Sequence, residues 1–354
     1  MNEPPPTFSI VIATDGRAGA LAELLESLPF LAGPACEVCV VRGPTEDGVA
    51  DVLAAWEGRI KIRSNPIRNL SISRNIGIAM AAGDIVAFID DDAIPGPPWL
   101  VDLAAAFADP AVACAGGLNL DRSGLGTQYG YATCDRLARA NCMRPEPADD
   151  LCAIDAPEFP YVQGTNAAVR RADLEAIGGF DEEYDFYLDE TDVCCRLVDA
   201  GRRIRQLPDA FVHHRSLPSQ IRDAGGFTHS LYSVLKNKLY FSLVNNRGHH
   251  DEPLAVVDFI SFAGMLADGL RQKAERDADG PRWLRRFASD VEQARRTGLA
   301  RGRSGHRRLM CGDLIDRCRR PFLPLDRRPA ADRLGCTLFS AGGRVGTAGG
   351  REAA

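Results

Sequence analysis

The chain has 354 residues, of which 45% are hydrophobic and 25% charged, which is the composition of a soluble globular protein with room for a full α/β core. Residues 1–6 lack the pattern of a secretory signal, and the best apolar stretch, residues 254–270, is interrupted by Asp258 and Asp268. We therefore expect neither a signal peptide nor a membrane-spanning helix.

Charge divides the chain into two parts. Residues 271–354 hold 20 Lys and Arg against 10 Asp and Glu, whereas the first 270 residues hold 22 against 38. The acidic body argues against binding to nucleic acid, while the basic tail is typical either of contact with an anionic membrane or of a solvated, disordered segment. The 11 cysteines, an odd number, indicate free thiols in a reducing compartment.

Strands and helices alternate along the first part of the sequence. Apolar runs predict strands at residues 8–14, 36–41 and 60–63. Helical spacing of apolar residues predicts helices at residues 20–31 and 49–56. This alternation is typical of βαβ units and a parallel sheet.

The next predicted helix covers residues 69–82, with Ser71 or Ser73 as its N-cap. Backbone N–H groups at a helix N-terminus attract anions, and Arg74 would strengthen such a site. Arg74 could equally be an ordinary surface residue. The sequence leaves these two interpretations open.

Three consecutive carboxylates, Asp90, Asp91 and Asp92, follow an apolar run at residues 85–89. A short run that is apolar throughout predicts a strand buried on both faces, whose carboxyl end is where open α/β sheets bind ligands. Adjacent carboxylates repel one another, so a cation would stabilise them. The pattern indicates either a site for a divalent cation with a substrate diphosphate or a solvated acidic turn.

The middle of the chain is less regular. Residues 112–118 predict a strand in which a glycine pair permits close approach of another backbone. Residues 119–160 contain scattered prolines and predict an irregular loop beside the site. A helix is predicted at residues 171–177.

A second acidic cluster opens a later helix. Asp189, Glu190 and Asp192 could supply a general base, although acids are also favoured in a first helical turn by the macrodipole alone. After the following strand, His213 and His214 could ligate a metal or contact a phosphate, or be structural.

The order of these motifs resembles the family 2 glycosyltransferases, which are inverting enzymes of the GT-A fold that use nucleotide-diphospho-sugars. The similarity covers roughly residues 8–215. Each motif alone is weak, but their order along the chain is specific. The motifs occupy residues 9–14, 73–77 with 82–84, 88–92, 164–171, 177–182, 189–192 and 208–214.

The resemblance implies a GT-A fold, with a Rossmann-like, mostly parallel central sheet flanked by helices. Beyond the match, the apolar pattern of the following residues predicts a C-terminal helical appendage. We accordingly expect a catalytic domain at residues 1–218 and a helical appendage at residues 219–270, which would form an acceptor-side wall or a dimer contact. Residues 271–354 would be a basic, Arg- and Gly-rich region, partly disordered, with a nearly featureless stretch at residues 301–308.

The resemblance also implies roles for the acidic clusters. Asp90 would lie on the ribose side of a DxD motif, and Asp92 would bind Mn²⁺ or Mg²⁺, with His214 completing the metal site. Glu190 would be the base that deprotonates the acceptor hydroxyl, and Asp189 is the alternative.

Other residues would hold the donor or support the site. Asp192 and His213 would lie on the acceptor side or in a supporting layer. The residues expected to contact the nucleotide-sugar are Thr14, Arg17, Arg74, Asp90, Asp91, Gly164 and Asn166.

The sequence departs from the family at the nucleotide end. The second strand of relatives usually ends in an aspartate that hydrogen-bonds a pyrimidine base, and here Arg42 occupies that place. Asp15, Glu46 or Asp47 could replace this contact, or the nucleotide differs from UDP.

Together these features predict a cytoplasmic, metal-dependent glycosyltransferase, peripheral on the inner face of the cell membrane, that builds an envelope polysaccharide, glycolipid or other glycan. Its acceptor would be a glycan or a lipid-linked molecule. One alternative is a sugar-phosphate nucleotidyltransferase, although residues 15–19 make a poor glycine-rich phosphate loop. The other is an inactive nucleotide-sugar-binding module, against which the intact acidic clusters argue.

Overall fold

The computed structural model describes residues 4–219, 222–223, 228, 230–275 and 279–328. Within them the chain forms a large sheet, a small sheet and a helical C-terminal part. The strands are β1 (Phe8–Thr14), β2 (Cys36–Arg42), β3 (Lys61–Ser64), β4 (Ile85–Phe88), β5 (Ala93–Pro95), β6 (Val112–Leu120), β7 (Thr127–Tyr129), β8 (Tyr131–Asp135), β9 (Ala140–Arg144), β10 (Glu158–Tyr161), β11 (Ala167–Arg170) and β12 (Arg203–His214). The helices are α1 (Ala18–Ser27), α2 (Val49–Ala54), α3 (Leu70–Met80), α4 (Trp99–Ala106), α5 (Arg171–Ala176), α6 (Asp189–Asp199), α7 (Tyr232–Val244), α8 (Glu252–Ala274), α9 (Gly280–Ser304) and α10 (Gly312–Cys318).

The large sheet has the strand order β3-β2-β1-β4-β11-β6-β12-β5, and β7 pairs with β6. The predicted parallel arrangement is confirmed for β1 to β4, and β12 also runs parallel to β6. β11 and β5 are antiparallel to their neighbours. β5 follows β4 almost at once, and a parallel pairing between them would need a long crossover, so β5 reverses and pairs with β12 instead.

The sheet carries a hydrophobic core on each face. In β1 the side chains alternate, so that Ile10 and Ile12 pack with Leu21 and Leu24 of α1 on one face. Val11, between them, packs with Ile78 of α3 on the other face. Successive strand residues point to opposite faces, and both faces are covered by helices, which accounts for the continuous apolar runs in the sequence.

The prediction of an irregular loop over residues 119–160 was wrong. This segment forms β7 and the small antiparallel sheet, in the order β10-β8-β9. The prolines obscured the pattern, but Pro160 lies in β10, at the edge of that sheet, where a missing N–H is tolerated. Arg136, buried in the turn after β8, anchors the small sheet through an ion pair to Asp199 of α6 at 2.7 Å.

The expected close approach at the glycine pair of β6 is confirmed. A β-carbon at Gly116 would meet the side chain of Val162, and one at Gly117 would collide with the backbone carbonyl of Ala210 in β12. β6 and β12 pair with a register shift beside this contact. Only glycine permits this close approach of β12 to β6.

We predict that Gly117→Ala destabilises the protein by about 1–3 kcal/mol, because the added methyl group overpacks a rigid backbone contact. Gly264→Ala on α8 is the matched control, because a β-carbon there would meet no atom within 4 Å and helix propensity favours alanine. Urea denaturation measures both variants. Equal stability of Gly117→Ala and wild type would contradict this account of the β6–β12 contact.

The C-terminal part begins with three packed helices. Leu235 and Leu239 of α7, Phe259 of α8, and Ala294 and Leu299 of α9 form a separate core. By length and composition α8 is the one helix in the described ranges that could cross a membrane. Its Asp258, which the sequence analysis took as an interruption, forms an ion pair with Lys238 at 2.6 Å and faces the protein.

Residues 280–318 are more ordered than the sequence suggested. The stretch at residues 301–308 was predicted to be nearly featureless, but its first half is the last turn of α9. The basic composition hid this helix, because its apolar face is narrow and glycines replace larger residues where α9 approaches α7. The described C-terminal region is therefore an ordered part of the molecule as far as residue 328.

After α9 the chain runs back along the part that carries the large sheet, as a strap formed by residues 305–328. Met310 N–H donates to the Gly178 carbonyl, and Leu325 N–H donates to the Cys36 carbonyl, each at 2.8 Å. Leu323 N–H donates to the buried carboxylate of Glu37, also at 2.8 Å. The strap thus links the α5–α6 region to the first residues of β2.

Candidate active site

The acidic triplet lies at the carboxyl end of β4, as predicted, in the short connection to β5. Asp91 and Asp92 are buried, and Asp90 is half-buried. The antiparallel pairing of β5 with β12 places His214 opposite Ala93, the residue that follows the triplet. Strand register thus brings together carboxylates and an imidazole that are more than a hundred residues apart in sequence.

Asp90, Asp92 and His214 form a cluster whose potential ligand atoms lie within 4.8 Å of one another. His214 Nε2 is 3.4 Å from Asp92 Oδ1 and 3.9 Å from Asp90 Oδ2. His214 Nδ1 is 2.7 Å from Gln128 Oε1, which orients the ring with Nε2 towards the carboxylates. Asp92 Oδ1 is buried and accepts no well-aligned hydrogen bond. Two carboxylates and an imidazole fit a divalent cation such as Mn²⁺ or Mg²⁺.

Arg17 supplies the nearest positive charge to the triplet. Its guanidinium lies 2.6 Å from Asp91 Oδ1 and 2.9 Å from Asp92 Oδ2. Burial raises the pKa of Asp91 to about 7, although Arg17 opposes this shift. Burial acts in the same direction on Asp92, but His214 and Arg17 outweigh it and hold the pKa of that carboxyl far below its usual value.

Arg74 joins the two acidic clusters. Its side chain is buried, forms an ion pair with Asp189 and lies 3.7 Å from Asp90 Oδ1. The guanidinium stacks near the ring of Phe180 at 5.3 Å, and a β-carbon at Gly164 would collide with it. Of the two interpretations left open, the surface one is wrong, since Arg74 is 4% exposed.

The N-cap of α3 differs from the prediction. Asn69 caps the helix by accepting a hydrogen bond from Ile72 N–H at 2.9 Å. Ser71 instead donates to the Tyr184 carbonyl, and Ser73 accepts from Asn65. The two serines are therefore used to fix α3 against neighbouring segments.

The second acidic cluster opens α6, as expected, after an unusual turn. Tyr187 and Leu188 have φ values of +75° and +67°, a left-handed conformation that is unfavourable for residues other than glycine. Asn237 of α7 holds the turn by donating to the carbonyls of Phe186 at 2.6 Å and Tyr187 at 3.2 Å. Asn237 of α7 therefore fixes the turn that precedes Glu190.

Glu190 and Asp189 have different environments. Asp189 is paired with Arg74, whereas no ion pair of Glu190 occurs in the part of the chain that the structure describes. Burial and the charge of Asp189 raise the pKa of Glu190 to about 8, with Arg74 opposing. Burial also raises the pKa of Tyr129 and of Tyr187, and the charge of Glu190 adds to both shifts. A carboxyl group with a raised pKa and no cationic partner suits a general base.

A cleft extends from the triplet towards the first turn of the sheet. Thr14, Arg17, Asp90, Asp92 and His214, all predicted site residues, line it. The sequence analysis missed other wall residues, for which no motif gave a signal: Arg68, Asn69, Asp185, Leu217 and Arg222. The cleft therefore combines the metal cluster with two additional cationic side chains.

Of the three acids considered for the contact with the nucleobase, Asp15 is the one found in the wall of the cleft. Asp15 lines the cleft and accepts hydrogen bonds from Arg68 Nε at 2.9 Å and Thr45 N–H at 2.8 Å. Asp47 instead accepts from Ala18 N–H at 3.1 Å and Glu46 is exposed.

Three predicted site residues face away from the cleft. The Asn166 amide accepts from Trp99 Nε1 and donates to the Ala210 carbonyl, each at 2.8 Å, so it fixes strands to α4. His213 packs edge-on against Phe211 on the other side of β12 from His214. Asp192 points into the core and has a purely internal set of partners.

The buried Asp192 network includes a residue that the sequence analysis missed. Arg307 of the strap bonds to Asp192 Oδ1 at 2.7 Å and to Asp181 Oδ2 at 3.2 Å. Arg196 bonds to the second oxygen of Asp192 at 2.7 Å. These charges outweigh burial and lower the pKa of Asp192 to about 2. The first turn of α6 is therefore anchored by the C-terminal strap.

We predict that Arg307→Met destabilises the protein by about 3–5 kcal/mol, because it leaves two fully buried carboxylates short of a partner. Arg303→Met is the control, since Arg303 and Glu252 form an exposed pair worth less than about 1 kcal/mol. Denaturant unfolding of both variants tests this. A similar loss in both would show that the strap contributes no buried ion pair.

Comparison with known proteins identifies the class to which this cleft belongs. Residues 9–178 match the model of glycosyl transferase family 2. The match covers just under half of the chain and supports a family 2 glycosyltransferase domain there, and the predicted GT-A fold is confirmed.

Named relatives are similar over part of their length. The chain is 29% identical over 226 residues to the pre-mycofactocin glycosyltransferase of Mycobacterium tuberculosis, covering 61% of this chain and 44% of that protein. It is 27% identical over 210 residues to the validoxylamine A glucosyltransferase of Streptomyces hygroscopicus subsp. jinggangensis, covering 51% and 48%. The chain thus spans about half the length of these curated relatives.

A solved structure has the same fold. The mannosyltransferase PcManGT from Pyrobaculum calidifontis, determined in complex with GDP-Man and Mn²⁺, superposes with a TM-score of 0.52 at 18% identity, over 84% of this chain and 88% of that one.

Proposed function

We propose that the protein is an inverting glycosyltransferase that moves a sugar from a nucleotide-diphospho-sugar to an acceptor hydroxyl with Mn²⁺ or Mg²⁺. The observation that carries this proposal is the link through Arg74 between the Asp90–Asp92–His214 cluster and the carboxyl groups at the start of α6. One side chain thereby sets the spacing between a metal-diphosphate site and a base.

The role proposed for each site residue follows from its environment. A cation bound by Asp90, Asp92 and His214 would neutralise charge on the diphosphate leaving group. Arg17, already close to the triplet, would orient the donor from the cleft side. Glu190 takes the proton of the acceptor hydroxyl while that oxygen bonds to C1 of the sugar. The bond from C1 to the diphosphate oxygen breaks, so the configuration at C1 inverts.

The donor and acceptor are proposed only by class. The named relatives act on different acceptors, so they support a glycosyl transfer without selecting one, and we retain a glycan or lipid-linked acceptor. PcManGT was determined with a GDP-sugar, and Asp15 with Arg68 would contact the nucleobase in place of the family aspartate replaced by Arg42. The proposal therefore covers donors with uracil and donors with other nucleobases.

We further propose a cytoplasmic protein with peripheral membrane contact, a catalytic domain ending near residue 218 and a helical appendage after it. The alternative to membrane contact is a homodimer, in which the exposed face of the helical appendage would contact a second copy of the chain. Three arginines of residues 301–308 are less available for this membrane contact. Arg301, Arg303 and Arg307 already bond to acids of the same chain.

We predict that one class of nucleotide-diphospho-sugar raises the unfolding temperature only when Mn²⁺ or Mg²⁺ is present. A ligand at about 100 times its Kd stabilises by roughly 2.7 kcal/mol. Asp92→Asn should lose this shift, because it removes a metal ligand, whereas Asp109→Asn on the surface should keep it. Thermal shift with UDP, dTDP, GDP and CDP sugars, with and without EDTA, measures the effect. A shift that persists in EDTA would contradict a metal-diphosphate site.

We predict that Glu190→Gln keeps metal-dependent donor binding and loses transfer by about 100-fold or more, as expected for a missing general base. In the wild type, kcat/KM should rise with pH up to about 8, because Glu190 must be ionised to accept the proton. The folded-state pKa of this group is raised, so its ionisation costs stability as pH increases, and Glu190→Gln should be relatively more stable at alkaline pH.

Two outcomes of that experiment would change the assignment. Wild-type transfer by Glu190→Gln would move the base to Asp189. Donor binding without any turnover in the wild type, with a broad set of acceptors, would indicate an inactive binding module.

A further inference from the structure

An exposed apolar stripe runs along α8, on the side opposite its packed face. Leu254, Val257, Ile260 and Met265 are 45%, 58%, 58% and 60% exposed. Their spacing places them on one side of the helix over about three turns. The opposite side, with Phe259 and Ala263, packs in one core with α7 and α9, and Asp258 is buried at its border. Exposed apolar stripes of this extent mark interaction surfaces in soluble proteins.

A basic edge lies on α9, the helix that packs beside α8. α9 contains seven arginines and two acidic residues. Arg285, Arg296 and Arg303 are 11 and 7 residues apart, close to whole numbers of helical turns, so they share one face of α9. Arg303 bonds to Glu252 at 2.6 Å, so this face of α9 reaches the first turn of α8. Arg285 and Arg296 are exposed, and no ion pair of theirs occurs in the described part of the chain.

The two features together select the partner. Exposed apolar side chains on α8, with exposed arginines on the neighbouring helix α9, complement the interface of an anionic bilayer, where acyl chains lie below negative headgroups. The first 270 residues carry a large excess of acids, so an anionic surface would repel the rest of the body and favour approach through this face. The acid nearest the end of the stripe, Asp268, is paired with Arg271.

The packing of α8 argues against a spanning helix. Asp258 is held by Arg139 at 2.7 Å and by Lys238 at 2.6 Å, so its charged side faces the protein. A helix fixed in this way would lie along a bilayer rather than cross it.

We propose that the α8 stripe with the Arg285–Arg296 edge is a docking face for anionic lipid bilayers. The proposal deepens the peripheral membrane contact proposed above and does not depend on the transfer reaction. Docking would hold the cleft close to the lipid surface, because α7 contacts both α8 and the turn before Glu190 through Asn237.

Co-sedimentation of the full chain with vesicles tests the proposal, using phosphatidylcholine alone and an equimolar mixture with phosphatidylglycerol. The wild type should bind only the anionic vesicles, less so at high salt. Val257→Asp combined with Ile260→Asp should lower the partition coefficient by about tenfold or more. Arg285→Gln combined with Arg296→Gln should lower it several-fold. Leu125→Asp, at an apolar residue that is 94% exposed elsewhere, is the control and should bind normally.

Other outcomes would overturn the proposal. These are absence of wild-type binding to anionic vesicles, or equal binding by the Val257→Asp/Ile260→Asp variant, shown to be folded by circular dichroism. Light scattering distinguishes the rival partner: a wild-type dimer that this variant converts to a monomer would make the face a contact between two copies. The assay contains no nucleotide or metal, so its failure leaves the glycosyltransferase proposal separately testable.

Discussion

Electrostatic repulsion among three adjacent carboxylates is the constraint around which this molecule is built. Asp91 and Asp92 are buried at the end of β4, where unpaired charges would be strongly unfavourable. The chain compensates with Arg17 after β1, Arg74 in α3 and His214 at the end of β12. Each of these lies on a different element, so the sheet order and the helix positions must be correct before the acids are neutralised.

The same compensation couples the two acidic clusters. Arg74 is shared between Asp90 and Asp189, so Glu190 has a raised pKa and, among the described residues, no ion pair of its own. Stability and reactivity are thereby divided between neighbouring carboxyl groups: the ion pair holds α6 in place, and the adjacent group remains free to take up a proton. The left-handed turn at Tyr187 and Leu188 is tolerated because Asn237 and the Asp192 network hold both of its sides.

Much of this arrangement could be predicted from the sequence because the relevant signals are local. The apolar run before Asp90, the start of α6 at Asp189 and the glycine pair of β6 each depend on a few adjacent residues. The small sheet was missed because prolines masked its strands, and Arg307 because it acts through tertiary contacts. Asn166 and Asp192 were placed at the site by motif position, but a conserved-looking motif position does not reveal whether a polar side chain faces the cleft or the core.

The Arg307 contact also has a consequence for synthesis. Arg307 follows Asp192 by 115 residues, so on the ribosome this buried carboxylate of α6 is made well before Arg307. At roughly 5–20 residues per second this interval is about 6–23 s. During that time the first turn of α6 lacks a charge that its buried position requires, so the nascent catalytic domain would remain incompletely packed. The protein would then acquire its working geometry only after Arg307 has emerged.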